Sequence, residues 1–341
     1  MNNFPLWHWH IENSSICNLR CPRCPRNEVP ESLVQTSLDL QFFKKNFDDK
    51  ILPHVYQISF CGDDGDPIYG KEFLEIVQYL KLQRPDISLR IITNGSSKPI
   101  SWWNEIGKSL NQYDEIHFSI DGWDNDSNNQ YRVNSRYDTI IDGIKAIRNS
   151  NVIMTWAAIA FSFNFSKLDY MRDIAENLGF DKFQITYSTK FGSKYANYLT
   201  NGFDLLEPPV DYIPKGHRFT RKITNLTDRQ VLDNGKNLIN ENLWLQTQPI
   251  KNIIPMCNIG NKGLYISSQG YFYPCCWVAN RYNHNQWQSF RKEKYNLNNN
   301  TITEVLNDES WTQFFNNLEA HNECVNKCNK DNFNKEYATS W

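Results

Sequence analysis

Residues 17–24 have the sequence CNLRCPRC, in which Cys17, Cys21 and Cys24 follow a CxxxCxxC spacing. The segment comes directly after Trp7 to Ile11, an apolar run that is typical of a β-strand. Three thiolates on one short loop can hold three irons of a cubane cluster that needs four ligands. The fourth iron then stays open to another ligand. The loop therefore predicts an iron–sulfur site at the end of the first strand.

The chain up to about Tyr187 alternates strand-like apolar runs with segments of helical periodicity. Such alternation is typical of βα units around a parallel sheet. The predicted strands are Trp7–Ile11, Tyr56–Phe60, Leu89–Thr93, Ile116–Ile120, Ile153–Phe161 and Phe183–Thr186. We therefore expect an α/β fold whose main part is a partial (βα)6 barrel of parallel strands.

Polar or glycine-rich loops follow four of the predicted strands. The cysteine loop follows the first, CGDDGDP at residues 61–67 follows the second, and Asn94-Gly95 follows the third. The fourth strand ends in SIDG at residues 119–122. Because the carboxyl ends of parallel strands lie at one edge of a barrel, these loops are expected to form a single site.

The remaining chain is predicted to contain a connector and a small C-terminal module. The barrel is assigned to residues 1–187. Residues 188–256 are polar and irregular and are assigned to the connector, and residues 257–341 contain hairpin and helix signals and are assigned to the module. The hairpin is predicted around Gly270. Thr301 and Glu304 have the pattern of a capping box for a helix that extends to about Leu318. We expect a cysteine-rich hairpin-plus-helix module.

The composition argues against several classes of partner. A formal net charge of −2 and a pI near 6.4 give no general attraction to nucleic acid. No apolar run approaches the roughly 20 residues that span a bilayer, and the N-terminus lacks the pattern of a secretory signal. We therefore expect a cytoplasmic protein without a membrane partner. In that reducing compartment, nine cysteines indicate metal binding rather than disulfides.

The cysteine loop and the loops after the following strands resemble those of the radical S-adenosylmethionine (SAM) superfamily. The resemblance covers residues 1 to about 187. It implies that Cys17, Cys21 and Cys24 bind a 4Fe-4S cluster, and that the amino and carboxylate groups of SAM chelate the open iron. It also implies that SAM is cleaved reductively to a 5′-deoxyadenosyl radical, which abstracts a hydrogen atom from the substrate.

The same resemblance assigns loop residues to SAM binding. Residues 62–67 are similar to the family's glycine-rich motif ending in Gly-Glu-Pro, with Asp66 in place of the glutamate. The fourth strand's end contacts the SAM ribose in the family, which points to Ser119 or alternatively Asp121. Arg132 is expected to pair with the methionine carboxylate, although an exposed arginine is the alternative. The complete predicted set is Gly62, Asp64, Gly65, Asp66, Pro67, Asn94, Ser119, Asp121 and Arg132.

One position departs from the family pattern. Many relatives have an aromatic residue before the third cysteine, near the adenine of SAM, whereas this chain has Arg23. A guanidinium group can also stack on a base, so contact with adenine remains an expectation. Arg20, Arg23 and Arg26 together make the loop basic, which suits an anionic ligand or solvated charges equally well.

Four cysteines of the C-terminal module, Cys257, Cys275, Cys324 and Cys328, resemble the ligands of a twitch domain, the short form of the SPASM auxiliary-cluster domain. Four thiolates would close a second 4Fe-4S cluster with no open position, which suits electron transfer or a structural role. Cys276 adjoins Cys275 and is an alternative ligand.

Zinc is the alternative metal at both cysteine groups, with His8 or His10 as a further ligand at the first. A non-catalytic protein with two zinc clips for partner binding is accordingly the alternative class. Such a protein would have no need of the glycine-rich and SIDG loops. Cys61 is a candidate catalytic thiol that donates a hydrogen atom to a product radical, and a buried structural thiol is the alternative.

The resemblance implies an oxidoreductase-type enzyme. An auxiliary cluster that accepts an electron favours a net oxidative modification, with a peptide or protein side chain as the first expected substrate. A small polar metabolite such as a sugar, an aminocyclitol or a nucleotide is the alternative. The electron donor is expected to be a flavodoxin or a ferredoxin.

Overall fold

The computed structural model of the 341-residue chain describes residues 8–24, 26, 30–188, 191, 206–210, 218–222, 253, 264–279 and 288–328. The strands within these residues are β1 (His8–Ile11), β2 (Gln57–Phe60), β3 (Ser88–Thr93), β4 (Glu115–Ser119), β5 (Ile153–Ile159), β6 (Lys182–Thr186), β7 (Arg218–Lys222), β8 (Leu264–Ile266) and β9 (Phe272–Tyr273). They form one sheet in the order β7-β6-β5-β4-β3-β2-β1-β8-β9.

Helices follow the parallel strands along the chain, and further helices complete the C-terminal module. They are α1 (Leu40–Asn46), α2 (Phe73–Gln83), α3 (Ile100–Ser109), α4 (Asn125–Asn129), α5 (Tyr137–Ile147), α6 (Ser162–Phe165), α7 (Leu168–Leu178), α8 (Ile302–Leu306), α9 (Glu309–Asn316) and α10 (Asn322–Lys327). In α5, Ile140, Ile144 and Ile147 recur at helical spacing and are all buried, which explains how the helix packs on the sheet.

Strands β1 to β6 pair in parallel and in chain order, and the predicted partial barrel of six strands is confirmed. Helices follow β2, β3, β4 and β5, so the loops at the carboxyl ends lie along one edge. Residues 218–222 of the predicted irregular connector differ from expectation, because they form β7, antiparallel to β6.

The C-terminal hairpin extends the barrel sheet at the edge next to β1. Strand β8 pairs in parallel with β1, and β9 pairs antiparallel with β8. Aromatic packing joins the two parts: Trp9 of β1 stacks on Phe272 of β9 at 5.4 Å between ring centroids, and Phe272 contacts Trp311 of α9 at 4.9 Å. One apolar core therefore includes both the barrel and the hairpin.

The predicted helix from Thr301 to about Leu318 is wrong in one respect. Its capping box is present, since the Thr301 side chain accepts from the backbone of Glu304 and the Glu304 side chain accepts from the backbone of Thr301. The helix nevertheless ends at Leu306, and α9 begins anew after Asp308. Asp308 accepts from the backbone N–H of Ser310 and so caps the second helix, which breaks the first.

Among the described residues, none of the helices combines the length and apolar character that crossing a bilayer requires.

Candidate active site

A cavity of about 180 Å³ lies at the carboxyl edge of the barrel. The cysteine loop, residues 61–66 and the ends of β3 and β4 form its wall, together with Tyr131 and Arg132. The four loops that the sequence predicted to share a site therefore meet around one space.

The thiols of Cys17, Cys21 and Cys24 all line this cavity. Burial raises the pKa of the Cys17 thiol to about 12, and it also raises the pKa values of Cys21 and Cys24. Apolar side chains such as Leu19 and Phe161 surround the loop. One buried and two half-buried thiols that line one cavity are a donor set that fits an iron–sulfur cluster, because thiolate ligation compensates for the cost of ionising them.

Among the described residues, no His, Cys, Asp or Glu group forms a recognisable metal site. The shared cavity and the loops around it are therefore the features that favour an iron–sulfur cluster at these thiols. The backbone N–H of Leu19 and the Asn94 side chain both point to the Cys17 sulfur, at 3.4 and 3.6 Å respectively. Such donors favour the thiolate form of a ligand sulfur.

The glycine-rich loop packs tightly against the chain after β1. A Cβ atom at Gly65 would collide with the backbone of Ser14 and Ser15, so only glycine fits there. The backbone N–H of Asp66 donates to the carbonyl of Ile16 at 3.0 Å. Pro67 accepts from the side chain of Asn13 at 3.0 Å. These contacts hold Gly62, Asp64 and Gly65 at the cavity wall.

Asp66 joins the glycine-rich loop to the end of β3. Its carboxylate accepts from the Thr93 hydroxyl at 2.8 Å and from the backbone and side chain of Asn94 at 2.6 and 2.7 Å. Burial raises the pKa of Asp66 to about 6, although these hydrogen bonds partly oppose the change. The aspartate that replaces the family's glutamate thus positions a neighbouring loop.

The predicted residues Ser119, Asp121 and Arg132 differ in their distance from the cavity. Ser119 and Arg132 line it, whereas Asp121 is fully buried and binds Arg132 from behind, with 2.5 Å between Oδ2 and Nε. Arg132 also hydrogen-bonds to Cys21 and lies over the Tyr131 ring. The surface alternative for Arg132 is therefore wrong, and Asp121 contacts that side chain and is not part of the cavity wall.

Arg23, for which the sequence left contact with adenine as an expectation, is buried against the connector. It is 3% exposed, donates from Nη2 to the Leu206 carbonyl at 2.5 Å and lies 5.0 Å from the centre of the Phe191 ring. The guanidinium therefore holds part of the connector against the cysteine loop. Arg20 is exposed, and Arg26 lines the cavity and donates to the Cys17 carbonyl.

The two histidines of β1 share one face, as predicted. Nε2 of His8 lies 3.2 Å from the Ser59 hydroxyl, and Nε2 of His10 lies 2.9 Å from the Cys61 carbonyl. Burial lowers the pKa of His10 to about 4, which the hydrogen bond to Cys61 partly opposes. Cys61 itself is half-buried and lines the cavity.

Glu12 is a site residue that the sequence reasoning missed. It is 3% exposed and accepts from the backbone N–H of Asp64 at 2.7 Å. Burial, followed by the nearby charges of Asp64 and Asp63, raises the pKa of Glu12 well above its ordinary value. A carboxylate directly after a predicted strand and five residues before the first cysteine was the available signal.

The second cysteine group is partly within the described residues. Cys324 is buried, which raises its pKa, and the nearby thiols of Cys275 and Cys328 raise it further. The structure therefore brings three of the four predicted ligands near one another. The fourth, Cys257, lies outside the described residues. Cys276 is buried beside Cys275.

Comparisons with known families agree with this arrangement. Residues 11–162 match the model of the radical SAM superfamily, and residues 257–330 match SPASM, an iron–sulfur cluster-binding domain. No curated protein matches the chain.

Several solved structures share the fold. SuiB of Streptococcus suis bound to S-adenosylmethionine has 16% identity and a TM-score of 0.57, with 95% of this chain and 71% of SuiB covered. SuiB bound to its precursor peptide SuiA has 16% identity and a TM-score of 0.55, with coverages of 92% and 67%. Native anSMEcpe with bound AdoMet has 15% identity and a TM-score of 0.52, with coverages of 90% and 82%.

The two domain matches define the class of protein as an enzyme that uses SAM and iron–sulfur chemistry. The chain carries a radical SAM domain at residues 11–162 and a SPASM iron–sulfur cluster-binding domain at residues 257–330.

Proposed function

We propose that this enzyme binds two 4Fe-4S clusters and uses them, with SAM, to oxidise a peptide or protein side chain. The observation that carries the proposal is the cavity that Cys17, Cys21 and Cys24 share with the glycine-rich loop and Arg132. A zinc clip would not need these additional groups around its thiols.

The residues of the cavity have separate tasks in this proposal. Cys17, Cys21 and Cys24 hold the first cluster, while the backbone of residues 62–66 and the remaining guanidinium donors of Arg132 hold the methionine part of SAM. Ser119 is the candidate ribose contact. When bound, SAM and the reduced cluster supply a 5′-deoxyadenosyl radical that removes one hydrogen atom from the substrate.

The second cluster is assigned to Cys275, Cys324 and Cys328 with Cys257. The mutual proximity of the first three thiols supports this assignment. A cluster held by four thiolates would have no open position for the substrate, so the chemistry it would supply is that of an electron acceptor. With such an acceptor, the substrate would lose one hydrogen atom, one electron and one proton, which is a net oxidation by two electrons. A flavodoxin or a ferredoxin is the proposed donor to the first cluster.

A peptide substrate is supported by the likeness to SuiB in its complex with precursor peptide SuiA. Cys61, at the cavity wall, is the candidate donor of a hydrogen atom to a product radical.

The test is an anaerobic incubation of the reconstituted enzyme with SAM, a reductant and peptides encoded near its gene. The proposal predicts 5′-deoxyadenosine and a peptide product that is lighter by two hydrogens, as measured by mass spectrometry. Turnover of a sugar or nucleotide, with no product from any peptide, would contradict the substrate class. Colourless protein that contains zinc and no iron would contradict the enzyme assignment.

A further inference from the structure

Glu12 connects the glycine-rich loop to the C-terminal hairpin. One carboxylate oxygen accepts from the backbone N–H of Asp64 at 2.7 Å, and the other accepts from the Tyr265 hydroxyl at 3.0 Å. Tyr265 lies on β8 and is 2% exposed. The backbone N–H of Glu12 also donates to the carbonyl of Ile266 at 2.9 Å. A buried carboxylate thus has partners on both sides of the boundary between barrel and hairpin.

Tyr265 reaches the same loop by a second route. Its ring packs edge-on against His10 at 5.0 Å, and Nε2 of His10 lies 2.9 Å from the carbonyl of Cys61. Residues 61 and 64 are therefore both held by side chains that contact Tyr265. A Cβ atom at Gly62 would lie 2.8 Å from Oε1 of Glu12, so glycine allows the loop to close over the carboxylate.

The two ends of the loop have different anchors. Asp66 binds Thr93 and Asn94 and so fixes one end to β3 within the barrel. The other end depends on Glu12, whose orientation depends on Tyr265. Without the Tyr265 hydroxyl, one oxygen of the buried Glu12 carboxylate loses its hydrogen-bond donor. The Glu12 side chain is then no longer held in this orientation.

We propose that Glu12 and Tyr265 are positioning residues through which docking of the C-terminal hairpin shapes the SAM-binding loop. The inference rests on the proposed function, because it takes the backbone of residues 62–64 as the contact for the SAM amino group. It goes further by giving the hairpin a role in SAM binding that is separate from the auxiliary cluster.

The test compares Tyr265→Phe with Tyr271→Phe in the full, reconstituted chain. Tyr271 lies on the same hairpin, with its ring beside Arg291, so the control removes a hydroxyl without touching Glu12. We expect Tyr265→Phe to raise the SAM dissociation constant about threefold to tenfold, as the loss of one hydrogen bond predicts, with kcat at saturating SAM nearly unchanged. Tyr271→Phe should bind SAM like the wild type.

A second readout needs no SAM and no turnover. Hydrogen exchange of the Asp64 amide in the SAM-free protein should become faster in Tyr265→Phe and stay unchanged in Tyr271→Phe. Glu12→Ala should weaken SAM binding more than Tyr265→Phe. Glu12→Gln should restore most of it, because its amide oxygen can accept from Asp64 and its amide nitrogen can donate to Tyr265.

The outcomes separate the inference from the proposed function. Equal SAM affinity and equal Asp64 exchange in the two tyrosine variants would overturn the inference. The proposed function would still stand in that case, provided that the wild-type protein binds SAM. A Glu12→Gln variant as weak as Glu12→Ala would also overturn it. Wild-type protein that fails to bind SAM would overturn both.

Discussion

Asp121 and Arg132 form a buried ion pair at the back of the cavity, with 2.5 Å between Oδ2 and Nε and no exposed surface on the Asp121 side chain. The other carboxylate oxygen accepts from the backbone N–H of Ile159 at 2.5 Å. Asp121 therefore fixes both the end of β5 and the guanidinium that faces the Cys21 thiol.

Asp121→Ala should lower the free energy of unfolding by about 3 kcal/mol, because it leaves the mostly buried Arg132 charge without this partner. Urea denaturation under anaerobic conditions measures the change. The matched control is Asp169→Ala, which removes an ion pair with Arg172 in which the aspartate side chain is 80% exposed. That change should cost less than about 1 kcal/mol. Equal effects of the two substitutions would show that the Asp121 pair has no special role.

Gly65→Ala should disrupt SAM binding through sterics alone. The added Cβ would collide with the backbone of Ser14 and Ser15, which cannot move aside like a flexible side chain. We expect the SAM dissociation constant to rise at least about tenfold, which corresponds to about 1.4 kcal/mol. Isothermal titration of the reconstituted protein measures it. Gly107→Ala in α3 is the control, and a similar loss there would argue against a local effect.

His10 should make stability depend on pH between about 6.5 and 4. Burial lowers its pKa from 6.5 to about 4, so in this range the unfolded chain binds a proton that the folded chain does not. The contribution to stability is complete above pH 6.5 and is lost as the pH falls towards 4. It amounts to roughly 3 kcal/mol over the whole range.

The measurement is the free energy of unfolding at several pH values for wild type and His10→Gln. The variant should show a shallower decrease from pH 6.5 to 4. His54→Gln, a substitution at an exposed histidine, should follow the wild type. If the free energy of unfolding of His10→Gln fell with pH as steeply as that of the wild type, His10 would not titrate in this way.

The two clusters should be separable by mutation. Cys324→Ala combined with Cys328→Ala should remove the second cluster, with iron falling from about eight to about four per chain. Slow cleavage of SAM should continue, because Tyr265 and Glu12 remain in place, while the oxidised product disappears. Iron content and spectra like those of the wild type would contradict the auxiliary cluster. The control substitution Cys276→Ala should leave both clusters intact if Cys275 is the ligand.

The sequence predicted the six parallel strands and the loops of the site because both have local signals. Apolar runs and helical periodicity mark β1 to β6, and the spacing of Cys17, Cys21 and Cys24 is contiguous in the chain. Short-range patterns of this kind do not depend on tertiary contacts. The shared cavity then follows from the geometry of a parallel barrel.

Long-range contacts could not be predicted from local sequence patterns. Glu12 and Tyr265 are 253 residues apart, and only the pairing of β8 with β1 brings them together. Arg23 finds its partners in the connector, 183 residues away at Leu206, which no local pattern reveals. The break between α8 and α9 depends on Asp308, whose capping competes with continuation of the helix.

The most direct test of the account is SAM cleavage by a variant in which Cys17, Cys21 and Cys24 are all replaced by Ala. Wild-type protein, reconstituted anaerobically and reduced, should hold about eight irons per chain and release 5′-deoxyadenosine from SAM. The triple variant should keep about four irons in the C-terminal cluster and release no 5′-deoxyadenosine. Continued cleavage of SAM by the triple variant would contradict the central claim that these three thiols hold the cluster that acts on SAM.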